Sequence, residues 1–205
     1  MIYEMRTYQI APGSLSQVLE RFGEAYEHRK SYSELAAFWY TEVGPLNQII
    51  HVWPYENAAE REKIRAEAVK GGNWPPPIKE FLVTMESEIF VPCSFCPELK
   101  SGKNGPLYEM RSYTLKAGMI PAMIEAWDGK IGERTKRSPL TIAMYTDVGP
   151  LNKFVHVWSY ESFEHRMQVR DQARADGVWP PGGGGGRLVA QENKLLFPAP
   201  FSPAQ

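Results

Sequence analysis

The chain has 205 residues, a formal net charge of −1 and 43% hydrophobic residues, which is ordinary for a soluble protein of one large or two small domains. The near-zero net charge excludes the strongly basic field that recruits nucleic acid or an anionic membrane surface. No apolar run reaches the ~18 residues that a membrane span needs. Two cysteines, Cys93 and Cys96, are too few for a disulfide scaffold. The first residues read as a strand rather than a leader peptide, so we predict a cytoplasmic protein.

The first half of the chain alternates strand and helix patterns. Residues 2–10 predict a strand, Pro12-Gly13 predicts a turn, and the apolar spacing from Leu15 to Tyr26 predicts a helix. A hairpin of two strands, a charged helix and a last strand are then predicted at 35–41, 47–53, 57–69 and 82–90. The predicted order is therefore β-α-β-β-α-β.

The second half of the chain repeats the first. The segment YEMRTY at 3–8 returns as YEMRSY at 108–113, and TEVGPLNQIIHVWPYE at 41–56 returns as TDVGPLNKFVHVWSYE at 146–161, each 105 residues later. A register that stays constant along the chain marks an internal repeat. We therefore divide the chain into a first repeat, a linker, a second repeat and a tail, at 1–92, 93–106, 107–198 and 199–205.

The order of elements in each repeat is that of a ferredoxin-like unit, an α+β fold. Such a unit covers one sheet face with its two helices and leaves the other face bare. Tandem βαββαβ repeats bury both bare faces most simply by closing into an intramolecular α/β barrel. Strand alternation puts Glu4, Arg6 and Tyr8 on one face of the first strand, and Tyr3 and Met5 on the other. We expect the more apolar set to face the helices, which predicts a polar and aromatic barrel interior.

The repeated motifs also carry a family resemblance. Y-E-x-R-x-Y at the start of each repeat, then G-P-L-N and H-V-W-x-Y-E, resemble the NIPSNAP family over nearly the whole chain outside the linker and tail. The resemblance implies the dimeric α/β-barrel superfamily, with no agreed enzymatic activity and no cofactor. Other branches of that superfamily include cofactor-free monooxygenases, haem-binding proteins and lactone isomerases, which are analogies of fold alone.

The repeated strands hold the candidate site residues. Arginine offers a two-pronged donor for a carboxylate, and histidine supplies a general base or a ligand-orienting group near neutral pH. His51 and His156 are therefore the catalytic candidates. The ligand-binding candidates are charged and aromatic side chains of both repeats, namely Glu4, Arg6, Tyr8, Trp53, Glu109, Arg111, Tyr113, Tyr145, Trp158 and Trp179. Each also has a structural interpretation, as an ion pair or a packed ring that holds the sheets together.

Two further motifs have bland interpretations. Cys93 and Cys96 have C-x-x-C spacing, but a redox pair needs a helix N-terminus and a zinc site needs two more ligands, so we predict no metal site. The run Gly182–Gly186 lacks the Lys-Ser/Thr of a phosphate-binding loop and predicts a flexible surface loop.

Two functions of different classes fit these residues. One is a protein that binds a small aromatic or carboxylate-bearing molecule inside the barrel. The superfamily resemblance implies a cofactor-free monooxygenase or isomerase as the enzymatic alternative, by analogy of fold. The other is a non-catalytic interaction or scaffold protein in which the same residues form a packed polar core. A cavity of a few hundred Å³ would favour the first function, since ligand sites have that size.

Differences between the repeats predict where a cavity opens. The first repeat has Phe38 where the second has Ala143, and the glycine run of the second repeat replaces Pro77-Ile78-Lys79-Glu80. We therefore expect the roomier pocket in the second repeat, near Tyr113, Tyr145, His156 and Trp179, with Arg111 holding an anionic group. Open strand edges at the outside of each sheet also predict a homodimer.

Overall fold

The computed structural model describes residues 1–99, 101–102 and 104–205. The first repeat comprises β1 (Ile2–Ile10), α1 (Leu15–Arg29), β2 (Ala37–Val43), β3 (Gln48–Tyr55), α2 (Ala58–Lys70), a 3₁₀ turn (Lys79–Phe81) and β4 (Leu82–Pro92). The second comprises β5 (Leu107–Leu115), α3 (Ile120–Thr135), β6 (Leu140–Val148), β7 (Lys153–Tyr160), α4 (Phe163–Ala175), α5 (Gly184–Arg187) and β8 (Leu188–Pro198). The predicted order is confirmed, except that the glycine run, expected to be loop, includes the single helical turn α5.

The two α+β repeats close into one barrel of antiparallel strands in the order β1-β3-β2-β8-β5-β7-β6-β4. Each repeat supplies four neighbouring strands, and the repeats join where β2 pairs with β8 and where β4 pairs with β6. The tandem ferredoxin-like barrel predicted from the sequence is therefore confirmed.

Side-chain caps fix where the second helix of each repeat begins. Asn57 accepts a hydrogen bond from the Glu60 amide at 2.9 Å, and Ser162 accepts one from the His165 amide at 3.1 Å. With the start of α2 fixed, Arg61 and Arg65 lie one turn apart on a single helix face. In this way the caps aim a pair of arginines at the sheet.

The barrel interior is mainly apolar, which corrects the predicted distribution of side chains. Tyr3, Met5 and Ile50 pack there with Tyr108 and Met110 of the other repeat. The residues expected inside lie instead between each sheet and its own helices, namely Glu4, Arg6, Tyr8, His51, Trp53, Glu109, Arg111, Tyr113, His156 and Trp158. The reason is that buried charges need partners, and the helices bring arginines and aromatic rings to this layer. The hydrophobicity of the strand faces alone, from which the interior was predicted, contains no information about these helix side chains.

The segments that follow β4 and β8 each pack onto the opposite repeat. Phe95 stacks on Trp127 of α3 with ring centroids 6.1 Å apart, and Phe201 stacks on Phe22 of α1 at 6.3 Å. Phe95 and Phe201 are equivalent at an offset of 106 residues. Each repeat therefore completes the helix-side core of the other. The boundaries at 92 and 198 remain predictions.

The two cysteines lie in the segment after β4, which packs onto the second repeat. Burial raises the pKa of the Cys93 thiol to about 12. The Cys96 sulfur accepts a hydrogen bond from the Ala143 amide at 3.3 Å, and at the equivalent position the Ser202 hydroxyl accepts one from the Phe38 amide at 2.9 Å. These contacts give the cysteines a structural role where this segment packs onto the second repeat.

Across the described ranges, none of the helices combines the length and the apolar character that crossing a bilayer demands. Over the same ranges, no three histidine, cysteine, aspartate or glutamate side chains come close enough together to hold a metal ion.

Candidate functional site between sheet and helices

A buried glutamate at the centre of each repeat collects arginines from one strand and one helix. Glu4 accepts hydrogen bonds from Arg6 at 2.8 Å, Arg61 at 2.7 Å and Ser87 at 2.7 Å, and Arg65 lies 3.3 Å away. Burial opposes ionisation of Glu4, but the hydrogen bonds and charges of these partners outweigh it and lower its pKa to about 2. Glu4 is therefore a carboxylate at neutral pH.

Glu109 repeats this arrangement in the second repeat. It accepts hydrogen bonds from Arg111 at 3.0 Å and Arg166 at 2.6 Å, and Arg170 lies 3.3 Å away. Burial again opposes ionisation, and the hydrogen bond from Arg166 together with the nearby positive charges lowers the pKa of Glu109. The structural interpretation of the strand arginines as members of ion pairs is confirmed in both repeats.

The strand arginine of each cluster also contacts a tyrosine of the same strand. Arg6 Nε donates to the Tyr8 hydroxyl at 2.6 Å, and Arg111 Nε donates to the Tyr113 hydroxyl at 2.9 Å. The Tyr8 ring meets His51 edge-on, with ring centroids 4.9 Å apart. A chain of contacts thus runs from glutamate through arginine and tyrosine to histidine.

A tryptophan fixes the tautomer of each histidine. Trp53 Nε1 donates to His51 Nδ1 at 2.6 Å, and Trp158 Nε1 donates to His156 Nδ1 at 2.8 Å. Burial, helped by the charge of the nearby strand arginine, lowers the pKa of both histidines well below its usual range. Because Nδ1 of the neutral ring accepts a hydrogen bond, the proton lies on Nε2. With its proton on Nε2, the histidine is suited to donate a hydrogen bond to an anion. It is less suited to act as a general base through that nitrogen.

A further arginine, from α1, is buried beside the cluster in the first repeat. Arg29 is 2% exposed, donates to the Ser33 hydroxyl at 2.8 Å and to the Tyr55 hydroxyl at 3.2 Å, and lies 4.6 Å from the Trp53 ring centroid. Its partners are neutral, and no carboxylate of the described residues lies within ion-pair distance of it. Burial lowers the pKa of Arg29, which reflects a charge without an anion beside it.

Arg134 of α3 is the equivalent cation in the second repeat. It donates to the Ser138 hydroxyl at 2.8 Å and to the Tyr160 hydroxyl at 3.0 Å, and its guanidinium lies 4.1 Å from the Trp158 ring centroid. Burial lowers its pKa as well. Both repeats therefore hold a desolvated guanidinium on neutral partners.

Arg29 lines a cavity of about 370 Å³ in the first repeat. Trp53 and Trp74 form an aromatic wall, with ring centroids 5.7 Å apart. The cationic lining residues are Arg6, Arg29, Arg65 and Lys79, and the aliphatic ones are Val69, Ile78, Leu82 and Met85. The cavity therefore joins an apolar wall to several positive charges.

The equivalent cavity of the second repeat is smaller, about 220 Å³. His156, Trp158 and Trp179 line it with four arginines, namely Arg111, Arg134, Arg170 and Arg174. Beside it, a groove of about 500 Å³ lies under the glycine run, and Tyr113 and Trp179 line both spaces.

The predicted site residues are thus only partly brought together. Those of the second repeat gather around the smaller cavity, but Tyr145 lines a separate surface groove with Ile124 of α3. His51 is fully buried under Tyr8 and Phe22. Room under the glycine run was predicted, but the larger of the two equivalent cavities belongs to the first repeat.

The sequence interpretation missed the helix arginines. Arg29 and Arg134 are 105 residues apart, as are Arg61 and Arg166, so the repeat register already contained the signal. A charged residue that recurs in register on a helix with an apolar face is a candidate for a buried cation.

Comparisons with known proteins agree with this architecture. The NIPSNAP family model matches residues 3–97 and again 108–203. Protein NipSnap homolog 3A of Homo sapiens is 29% identical over 99% of this chain and 85% of its own length. The NipSnap homolog of Dictyostelium discoideum is 30% identical over 87% of this chain and 78% of its own length.

A solved structure also covers both repeats. A provisionally named monooxygenase from Lactobacillus acidophilus matches 97% of this chain and 93% of its own, with a TM-score of 0.69 and 9% identity. At that identity the likeness shows the shared fold alone. The family match over both repeats is the stronger finding, and with it the chain belongs to the NIPSNAP family.

Proposed function

We propose that this chain binds an apolar carboxylic acid, aromatic or aliphatic, in the cavity of the first repeat. The proposal keeps the ligand class predicted from the sequence and moves its site from the barrel interior to the layer between sheet and helices. The observation that carries it is Arg29, a buried guanidinium with neutral partners that faces a cavity of about 370 Å³.

The lining of the cavity supports an acid with an apolar body. A carboxylate beside Arg29 would supply the missing counter-charge, because guanidinium and carboxylate form paired, charge-assisted hydrogen bonds. Trp53 and Trp74 give the cavity an aromatic wall, and Met85 and Val69 extend the apolar surface to the solvent-exposed rim. These features fit a ligand site better than a closed structural core, since the volume is that of a binding pocket.

Calorimetric titration with 2-naphthoate tests the proposal, with the neutral 2-naphthamide as its matched control. We expect 2-naphthoate to bind at least about tenfold more tightly than the amide, a difference of ~1.4 kcal/mol from the charge. Binding of the two compounds with equal affinity, or binding of neither, would contradict it.

Variants locate the site. Val69→Asp places a negative charge on the exposed rim, where folding tolerates it, and we expect weaker binding of 2-naphthoate. Val43→Asp is the matched control, because Val43 is similarly exposed on β2 and lies outside the cavity lining. Equal loss in both variants would point to a general charge effect rather than to this site.

We further propose that the protein is a cytoplasmic homodimer. β6 pairs with β4 only from Ile89 onward, and β2 pairs with β8 only from Leu195 onward. Among the described residues, the first halves of β4 and β8 therefore have an open outer edge that a second chain can pair with. A monomer mass by light scattering at high concentration would contradict the dimer.

A further inference from the structure

The cavity of the second repeat differs from its counterpart in chemistry as well as size. Arg174 occupies the position of Val69, 105 residues later, and Gln191 occupies that of Met85, 106 residues later. The two apolar rim positions of the first cavity are thus both polar in the second. Valine, isoleucine, leucine and methionine are absent among the described residues that line it.

We propose that this second cavity is a separate site for a compact dianion, such as a phosphate group or a small dicarboxylate. It stands on its own observations and holds whether or not the first cavity binds an apolar acid.

Charge supports this assignment. Four guanidiniums line the cavity, from Arg111, Arg134, Arg170 and Arg174, and Arg166 joins two of them on Glu109. In the described structure these five arginines share two carboxylates. Glu109 takes three of the arginines, and Asp171 pairs with Arg174 on the surface of α4. Among the described residues, the buried Arg134 has only neutral partners at ion-pair distance. An excess of positive charge of this size stabilises an anion with more than one negative charge.

The arrangement of donors supports a compact anion. His156 is 1% exposed, lines the cavity, and its Nε2 has no hydrogen-bond partner among the described residues. Since Trp158 holds Nδ1, Nε2 carries a proton and is a free donor. The Gln191 amide adds another polar group on the strand side. A volume of about 220 Å³ with donors on several sides suits the oxygen atoms of a compact anion.

The binding test uses calorimetry and thermal melting at constant ionic strength. The probes are inorganic phosphate and succinate as dianions, acetate as the single-charge control, and potassium chloride as the salt control. We expect phosphate, succinate or both to bind at least about tenfold more tightly than acetate, and which one binds distinguishes a tetrahedral from a dicarboxylate ligand. Effects no larger than those of chloride at equal ionic strength would overturn the proposal.

Exchange of the rim residues places the binding in this cavity. Arg174→Val and Gln191→Met install the residues of the first repeat at exposed positions, so folding is retained and is checked by the melting temperature without ligand. We expect the double variant to lose about tenfold or more in affinity for the dianion. The double variant leaves every lining residue of the first cavity unchanged, so binding of 2-naphthoate there should not weaken, which separates this site from the first cavity. Dianion binding that survives the double variant would overturn the proposal.

Discussion

The two repeats keep the same charged cluster and differ in the cavity beside it. Glu4 and Glu109 are equally buried, and each collects arginines from its own strand and from the second helix of its repeat, α2 or α4. The rim of the cavity changes from Val69 to Arg174. The cluster holds the helix to the sheet, so its loss is costly, whereas an exposed rim residue changes at little cost to folding. The sites can therefore diverge in ligand while the fold stays the same.

Removing the central carboxylate should cause the largest effect and should do so in both repeats. Glu4→Gln leaves three arginines without their counter-charge, as does Glu109→Gln, so we expect each to lower the free energy of unfolding by ~3–5 kcal/mol. Urea denaturation measures the loss. Glu80→Gln is the control, because the Glu80–Arg21 pair is exposed and should contribute nothing measurable. A large loss in only one repeat would show that the clusters are not equivalent.

Lowering the pH should remove part of the stabilisation that the Glu4 carboxylate contributes. The folded pKa of Glu4, about 2, lies below its ordinary value of 4.5, so the folded state binds the proton less tightly than the unfolded state. The stabilisation is therefore complete above about pH 4.5 and is lost as the pH falls toward about 2, with at most ~3 kcal/mol at stake. The gap in urea midpoint between the parent and Glu4→Gln should narrow from about pH 6 to about pH 3. A gap that stays constant would mean that Glu4 is not held as a carboxylate.

The exchanged phenylalanines sharpen the comparison, because their surroundings differ. Phe201 meets three aromatic rings of the first repeat, whereas Phe95 meets one, Trp127, among the described residues. We expect Phe201→Ala to cost ~2–3 kcal/mol and Phe95→Ala ~1–2 kcal/mol, since both are partly buried and each ring contact adds some stability. Thermal melts of the two variants side by side test the order, and the reverse order would contradict it.

The fold could be predicted from the sequence because the repeat register and the alternation of elements are local signals. The predicted strand at 35–41 is observed at Ala37–Val43, and the one at 47–53 at Gln48–Tyr55, so existence and type were right and boundaries shifted by about two residues.

The location of the site could not be predicted in the same way. Which face of β1 meets the helices depends on where Arg61 and Arg65 point, and a sum of hydrophobicities over the strand carries no information about charges on another element. Cavity sizes were out of reach for a related reason. Ala143 faces the helix layer, where the first repeat has the larger Phe38. In that layer Trp127 stands in place of the smaller Phe22, so the larger ring fills the volume that the alanine leaves.

The smallest effect concerns the ion pair that joins the repeats on the inner barrel faces. Lys153 of β7 contacts Glu88 of β4 at 2.7 Å, and Lys194 of β8 donates to Gln48 of β3 at 2.8 Å. Two first repeats together would oppose Glu88 with Gln48, and two second repeats would oppose two lysines, so only the tandem pairing gives an ion pair. Lys153→Met should cost ~1–2 kcal/mol, because it leaves the buried carboxylate of Glu88 without its partner. Lys194→Met should cost less, since its partner is neutral. Urea midpoints that fall further for Lys194→Met than for Lys153→Met would show that this charge pair does not favour the tandem arrangement.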